Sequence, residues 1–490
     1  MFMDQEAGIT EMVMEPRPLQ SLPIKALLSE LTQQLGTTAS TSAIGQVELL
    51  FQSADCQWLP DQEQWVELQK EYRGLVCALI SCADLPPSED GGAPLSTSDY
   101  QHVPVLATGV CRALRALLQP LCGHEGGGAR SLFRALAPYV CVFAVTHFQE
   151  QLWTSSSSRE AARLLLGALL KTGNWRDSAH MLMGDTEDEG LVGAVLDILQ
   201  PRLTRESWQC CEAAKLVFVW TLLQLTRPFV SPHLARLLGP SLLMNDHHRP
   251  ENCMLGVRCL HHVVLNTPAA DLRQFNQAEV VYQALFRHLY TSEAAVIQLV
   301  LQCLLDLLLI LERPPSSLAS TRRKLCRHDD VLRLVLTHME AEHKVALRRV
   351  YAAALPGLLV RMGLTVCRHL RRLERVLLAY LEVPDPPEEI GRLKVLEALE
   401  TTIRVAWPRW EGRTGVFVRS LLRLLVDVSS DEQLTDSTKL QLRTRTVACL
   451  KLLDVCAQGR VQCLLLQVDS TCCSSKLLDC LPTVWSDERD

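Results

Sequence analysis

An all-α helical-repeat solenoid is the fold this sequence predicts, and three observations predict it. Long leucine-rich segments dominate a chain in which 48 % of residues are hydrophobic but only 5 % are aromatic, a composition suited to helices packed on helices. At 490 residues the chain exceeds what one compact core can organise, so it divides into domains or stacks repeats. From about residue 208 helix-breaking punctuation recurs regularly, and alternate helices begin at 208, 250 and 292. That interval of roughly 42 residues falls in the HEAT and armadillo range.

The elements follow in order. Residues 1–40 mix Met, Pro, Ser and Thr around one short apolar stretch at 24–35, and a flexible start is expected there. Residues 41–205 read as a divergent helical region with helices near 61–82, 100–121 and 130–150. Loops near 84–98 and 123–130 interrupt it, marked by Leu85-Pro86-Pro87-Ser88 and Gly126-Gly127-Gly128. Residues 206–490 form the main repeat region. Its helices are expected near 208–225, 231–244, 250–266, 276–290, 292–312, 329–340, 344–362, 365–382, 387–406, 412–429, 435–457 and 459–468. Ser231-Pro232 reads as a cap followed by a first-turn proline, and Pro250 opens the next helix in the same way. A lone helix pair cannot bury its apolar face, so neighbours must stack into a rod with a long surface suited to protein partners.

Charge and cysteine usage narrow the classes further. The net charge is −6, which argues against a protein whose affinity comes from neutralising nucleic-acid phosphates. Residues 1–100 carry 15 acidic and 4 basic side chains, leaving 40 and 45 for the remainder; an acidic arm precedes a mildly basic body. Nineteen cysteines at irregular spacings, with Cys259, Cys303 and Cys449 inside apolar helical runs, read as buried thiols in a reducing compartment. The first residues have no basic then apolar pattern of a signal peptide. The most apolar segment, 296–311, carries Gln298, Gln302 and Asp306 at four-residue intervals, a polar stripe that marks a packed soluble helix. A cytoplasmic and nuclear location is the expectation, without membrane association.

Chemistry is sparse. His247, His248, Cys253, Cys259, His261 and His262 could supply zinc ligands by type, but their spacing matches no recognised site and packing is the favoured reading. His338 and His343 have the wrong interval for two ligands on one helical face. The glycine run before Arg130-Ser131 lacks a phosphate-binding lysine and a preceding strand. Neither a nucleophile elbow nor a kinase signature occurs, so no catalytic residue, cofactor or metal site is assigned.

Electrostatics single out one region. Between residues 313 and 381 there are 14 basic and 5 acidic side chains. Arg368, Arg371, Arg372 and Arg375 recur at i, i+3, i+4 and i+7 on one helix, opposite an apolar stripe of Leu370, Leu373, Leu377 and Tyr380. They are either a solvated outer face or a ridge that meets an acidic partner; no interleaved aromatics suit them to nucleic acid. Trp407 and Trp410, in Trp407-Pro408-Arg409-Trp410, are either helix-end packing or exposed interface anchors. These six residues are the candidate partner-binding set, while Trp153 and Trp208 are expected to cover the core.

Several blocks carry a family resemblance. They are Val145-Thr146-His147 through Trp153-Thr154 to Ser158-Arg159-Glu160, and Glu206-Ser207-Trp208 through Phe218-Val219-Trp220 to Thr226-Arg227-Pro228. Leu255-Gly256-Val257-Arg258-Cys259-Leu260-His261-His262 with Pro268-Ala269-Ala270-Asp271 is the most specific, beside Val331-Leu332-Arg333-Leu334 and Arg368-His369-Leu370 through Arg375. Over roughly residues 139–468 the sequence resembles the Tti-two family, the second of the Tel-two-interacting proteins. The resemblance implies a non-catalytic, helical-repeat subunit of the Tel-two/Tti-one/Tti-two co-chaperone complex, docking mainly on Tti-one. It implies phosphatidylinositol 3-kinase-related kinases as clients, with the ninety-kilodalton heat-shock chaperone and its RuvB-like ATPase adaptor as indirect partners. The alternative from the pattern alone is a transport adaptor of the importin kind, which the basic body without a Trp/Asn ladder disfavours.

Overall fold

The structure is a computed structural model that describes residues 24–37, 41–53, 65–86, 96–122, 127–185, 189–312 and 325–466. Residues 1–23 of the expected flexible start and 87–95 of the expected Pro/Gly loop lie outside them. The chain divides into two compact units, Met1–Leu225 and Thr226–Asp490. The boundary falls some twenty residues beyond the one expected at 205/206. The reason is that the helix Glu212–Gln224 packs on helices of the first unit.

In the first unit, α1 (Ile24–Thr37), α2 (Thr41–Ser53), α3 (Trp65–Ser81), α4 (Val103–Leu118), α5 (Gly127–His147) and α6 (Ser156–Thr172) form two layers. Helices α1, α3 and α5 stack in one layer, and α2, α4 and α6 in the other. Residues 24–37 correct the expectation of flexibility. Leu27, Leu28, Leu31 and Leu35 recur at helical spacing and are all buried, which holds α1 against α3. Gly127 and Gly128, read as part of a loop, already belong to α5.

No helix is expected from the sequence over α6. A serine run caps it: the Ser155 hydroxyl accepts from the Ser158 N–H at 3.2 Å, and Ser158 Oγ lies 2.8 Å from the Ser155 amide. Ala162, Leu165 and Leu169 then face the core. Helices α7 (Ser178–Met183), α8 (Val192–Leu199) and α9 (Glu212–Gln224) complete the unit, with α8 and α9 against α5.

The second unit contains α10 (Leu234–Asn245), α11 (Pro250–Asn266), α12 (Ala269–Arg273), α13 (Gln277–Arg287), α14 (Ala294–Leu311), α15 (Arg327–Ala341), α16 (Val345–Met362), α17 (Leu370–Glu382), α18 (Ile390–Ala406), α19 (Thr414–Ser430), α20 (Asp436–Cys456) and α21 (Arg460–Leu466). Most expected boundaries lie within a few residues of these. The pairing phase does not. The packed pairs are α10/α11, α13/α14, α15/α16, α17/α18 and α19/α20, so each pair begins one helix away from where the 208, 250 and 292 series placed it. Spacing fixes the repeat length but cannot say which of two alternating turns closes a pair.

The second members α11, α14, α16, α18 and α20 stack into one continuous layer. They start at residues 250, 294, 345, 390 and 436, roughly 45 residues apart, as HEAT repeats do. Each unit is thus a HEAT-like helical-repeat stack. Among the described residues there is no named strand, and Gly184–Glu189 form an isolated bridge.

Pro250 does stand at the first position of α11. Ser231 is not a cap: it opens a short 3-10 turn, Ser231–His233, and its buried hydroxyl has no hydrogen-bond partner among the described residues. Trp153 and Trp208 are buried as expected. Gly127–His147, Ala294–Leu311 and Val345–Arg368 are long and apolar enough to cross a membrane by length and composition, yet each lies packed within a helix layer. On α14 the polar stripe faces outward, with Gln298 and Gln302 exposed and Asp306 2.9 Å from His261 Nε2.

One backbone contact sets the α10/α11 distance. A Cβ at Gly256 would stand 2.1 Å from the Asn245 amide nitrogen and 2.5 Å from its Cα, so no larger residue fits without moving backbone. Gly256→Ala should therefore destabilise the protein by about 3 kcal/mol or more, read as a lower urea midpoint. Gly239→Ala on α10, where nothing stands within 4 Å, should leave stability unchanged or raise it by up to about 1 kcal/mol.

Candidate partner-binding surface

The arginine-rich segment is built on α17. Leu370, Leu373, Val376, Leu377, Tyr380 and Leu381 are buried, which leaves the arginines on the opposite side. Arg368 lies just before the helix, in the 3-10 stretch Gly363–Arg368. Three of the four arginines reach carboxylates on α15. Arg368 Nη1 is 3.5 Å from Asp329 Oδ2, and Arg375 Nη2 donates to Glu340 Oε1 at 3.3 Å. Arg372 donates to Glu340 Oε2 through Nε at 3.0 Å and Nη2 at 2.7 Å, and to Thr337 Oγ1 at 2.8 Å. Arg371 is exposed, with no carboxylate partner among the described residues.

The pattern extends along this layer. Arg327 pairs with Glu279 of α13 at 2.7 Å and with Glu312 at 2.9 Å. Arg413 pairs with Glu374 of α17 at 2.9 Å, and Arg423 of α19 approaches Glu382 at 3.7 Å. The arginines therefore tie successive helix pairs together. Composition displayed the surplus of positive charge, but not its partners, which apart from Glu312 lie 32 to 48 residues away in sequence, because these become neighbours only once the repeat phase is set.

Asp329 is the most enclosed rung. Burial opposes its charge, but donors outweigh burial and hold its carboxyl below the ordinary range. They are His369 Nε2 at 2.8 Å and the Cys326 amide at 3.0 Å. Glu340 is lowered too, chiefly by the Arg372 hydrogen bond.

Trp410 leaves the candidate set. It is fully buried, donates from Nε1 to the Thr402 carbonyl at 3.3 Å, and meets Phe417 edge-on at 4.9 Å; it is core, and no partner can reach it. Trp407, by contrast, is 62 % exposed. Of the six candidates, Arg371 and Trp407 are thus the two whose side chains face solvent without an ion pair or hydrogen bond among the described residues.

The suspected ligands of the His247–His262 region do not converge. Asn252 Nδ2 lies 3.0 Å from His247 Nδ1, and Cys253 Sγ lies 3.7 Å from His288 Nδ1. His261 faces Asp306, His262 meets Asn266, and Cys259 is sealed in the core. His338 stacks on Tyr351 at 5.6 Å.

One concavity had no sequence signal. In the first unit a cavity of about 410 Å³ is lined by residues that include Asp84, Tyr100, Tyr139, Phe143, His147 and Arg202. His147 is 1 % exposed, its Nδ1 has no hydrogen-bond partner among the described residues, and burial depresses its pKa to about 4. Burial also raises the Asp84 carboxyl, against the attraction of Arg202. His147 stands in the last turn of α5, and only the fold buries it.

No family model matches the chain. Human TELO2-interacting protein 2 is 48 % identical over 346 residues, covering 70 % of this chain and 68 % of its own. The mouse protein of the same name is 43 % identical over 359 residues, covering 73 % and 70 %. The chain belongs to the TELO2-interacting protein 2 family. Rat TELO2-interacting protein 2 matches over 398 residues at 43 % identity, 79 % of this chain and 77 % of its own. Among solved structures, Kap121p aligns with a TM-score of 0.49 and 13 % identity over 96 % of this chain. The chain spans 41 % of Kap121p. In this TELO2-interacting protein 2 family member, the residues of the most specific block are mainly interior: Gly256, Val257, Cys259, Leu260, Val263 and Val264 are buried.

Two pH windows follow. The folded Asp329 carboxyl titrates below the ordinary 3.8, so its stabilisation is complete above that value and is lost as pH falls through the lower, folded one. Asp329→Asn should cost about 1–3 kcal/mol at neutral pH and remove that acid-labile part. Folded His147 titrates near 4 against an ordinary 6.5. Its contribution is therefore lost between pH 6.5 and 4, by up to about 3 kcal/mol, and His147→Leu should flatten that slope. Urea denaturation across pH checks both.

Proposed function

We propose that the chain is a non-catalytic scaffold subunit of the Tel-two/Tti-one/Tti-two co-chaperone complex. One observation carries the reading: 48 % identity over 346 residues to a human protein whose name makes it an interactor of TELO2. The fold supports it. Stacked helix pairs present long surfaces, and the polar groups they bring together serve ion pairing and packing, which suits a subunit that holds other proteins. In this reading the chain docks mainly on a Tti-one homologue and through it joins a Tel-two homologue. ATP chemistry belongs to the ninety-kilodalton heat-shock chaperone and its RuvB-like ATPase adaptor. The clients are phosphatidylinositol 3-kinase-related kinases, including mTOR, whose maturation supports DNA-damage checkpoints, telomere maintenance and growth signalling in cytoplasm and nucleus.

The surface argument selects which residues to test. Arg371 and Trp407 are available to a partner, and exposed aromatic and arginine side chains are the types that dominate interface energetics. Affinity purification of the tagged chain from cells should recover Tel-two and Tti-one homologues; recovery of neither would reject the reading. Arg371→Glu combined with Trp407→Ala should reduce that recovery at least tenfold with helicity unchanged by circular dichroism. Arg372→Glu, which opposes Glu340, should instead lower the urea midpoint.

A further inference from the structure

The junction between α14 and α15 gathers one carboxylate, one thiol and one imidazole. Glu312 directly follows α14, Cys326 caps α15, and His328 lies in its first turn; their ligand atoms all lie within 4.8 Å of one another. Sulfur, nitrogen and carboxylate oxygen are the donor types that zinc takes. Glu312 Oε2 and His328 Nδ1 are 3.4 Å apart. Two ligand atoms bound at about 2.0–2.1 Å and subtending a tetrahedral angle stand roughly 3.3 Å apart, so this pair already spans one edge of a zinc tetrahedron.

The surroundings are ordered as outer partners. Arg327 Nη1 donates to Glu312 Oε1 at 2.9 Å, which fixes the carboxylate and leaves Oε2 turned toward the imidazole. The Arg327 amide is shared between the two oxygens at 3.1 and 3.2 Å. The imidazole of His328 is 1 % exposed and the Glu312 side chain 16 %, so two of the three donors are held in place before any ion arrives. Cys326 Sγ donates to Asp329 Oδ2 at 3.3 Å. Asp329 keeps the Cys326 amide, His369 and Arg368 as partners when that thiol proton leaves.

Charge decides the chemistry. Arg327, Arg368, His369 and the α15 N-terminus oppose a cation, while Asp329 and Glu279 offset them in part. A dication is accommodated when the thiol ionises: thiolate and carboxylate together then cancel its two charges.

We propose that Glu312 Oε2, Cys326 Sγ and His328 Nδ1 form a three-ligand site for a thiophilic divalent ion of the zinc class, with the fourth position taken by water, that clips α14 to α15. Binding forms a metal–sulfur bond and releases the Cys326 proton to solvent. The site is separate from the dispersed His247–His262 residues.

Cobalt(II) is the probe, since a cobalt–thiolate bond gives a charge-transfer absorption in the near ultraviolet. Titrated into metal-stripped full-length protein, or its purified complex, cobalt should produce that band at one equivalent, and zinc should displace it. Cys326→Ser, a near-isosteric change at a half-buried position, should lose the band, and the difference from wild type isolates this site from the other thiols. Glu312→Gln, which keeps the thiol, should weaken cobalt binding at least tenfold. Absence of the band in wild type, an undiminished band in Cys326→Ser, or unchanged affinity in Glu312→Gln would each overturn the proposal.

Discussion

The second unit depends on one constraint: the apolar flank of each helix pair is covered only by the next pair. The layer formed by α11, α14, α16, α18 and α20 supplies that cover. Residues such as Cys303, Leu304, Leu396 and Leu399 are fully buried because they have protein on more than one side, not because their own helix partner encloses them. Stability is then close to a sum of pair and interface contributions. This is also why α14, whose apolar content would suit a lipid environment, is satisfied within protein.

The polar rungs add geometry to that cohesion. Burial of apolar area is non-directional and would tolerate several registers of one pair on the next. Arg327 between Glu279 and Glu312, Asp329 beneath His369 and Arg368, and Glu374 beneath Arg413 favour one register, because each pairs residues that meet only there. Most of these groups are partly exposed, so the single pairs are individually weak. Asp329, 3 % exposed, is the most enclosed of them, and its loss leaves His369 Nε2 and the Cys326 amide without that acceptor.

Much of this fold was legible because helix ends carry local chemistry. Pro250 at the start of α11 and the polar stripe of α14 were both legible from neighbouring residues, whereas of the four arginines expected on one helix Arg371, Arg372 and Arg375 lie on α17 and Arg368 just before it. What was not legible required knowledge of distant neighbours. Gln224 belongs to the first unit, α11 pairs with α10, and Trp410 is enclosed while Trp407 is not, though the two stand three residues apart. At α6 the converse holds: the Ser155 cap and the apolar periodicity beginning at Ala162 are local signals, yet no helix was expected there. At the candidate surface, residue type identified the arginines, but only the packed α15 distinguishes Arg372 from Arg371.

The approach of Gly256 to Asn245 differs in kind from these rungs. A guanidinium reaches its carboxylate through several rotatable bonds, and can follow that carboxylate through small displacements. Backbone set against backbone has no such slack. Elastic compliance within the second unit is therefore unevenly distributed: the α10/α11 pair acts as a stiff block, and the joints from α15 to α19, spanned by long side chains, act as springs.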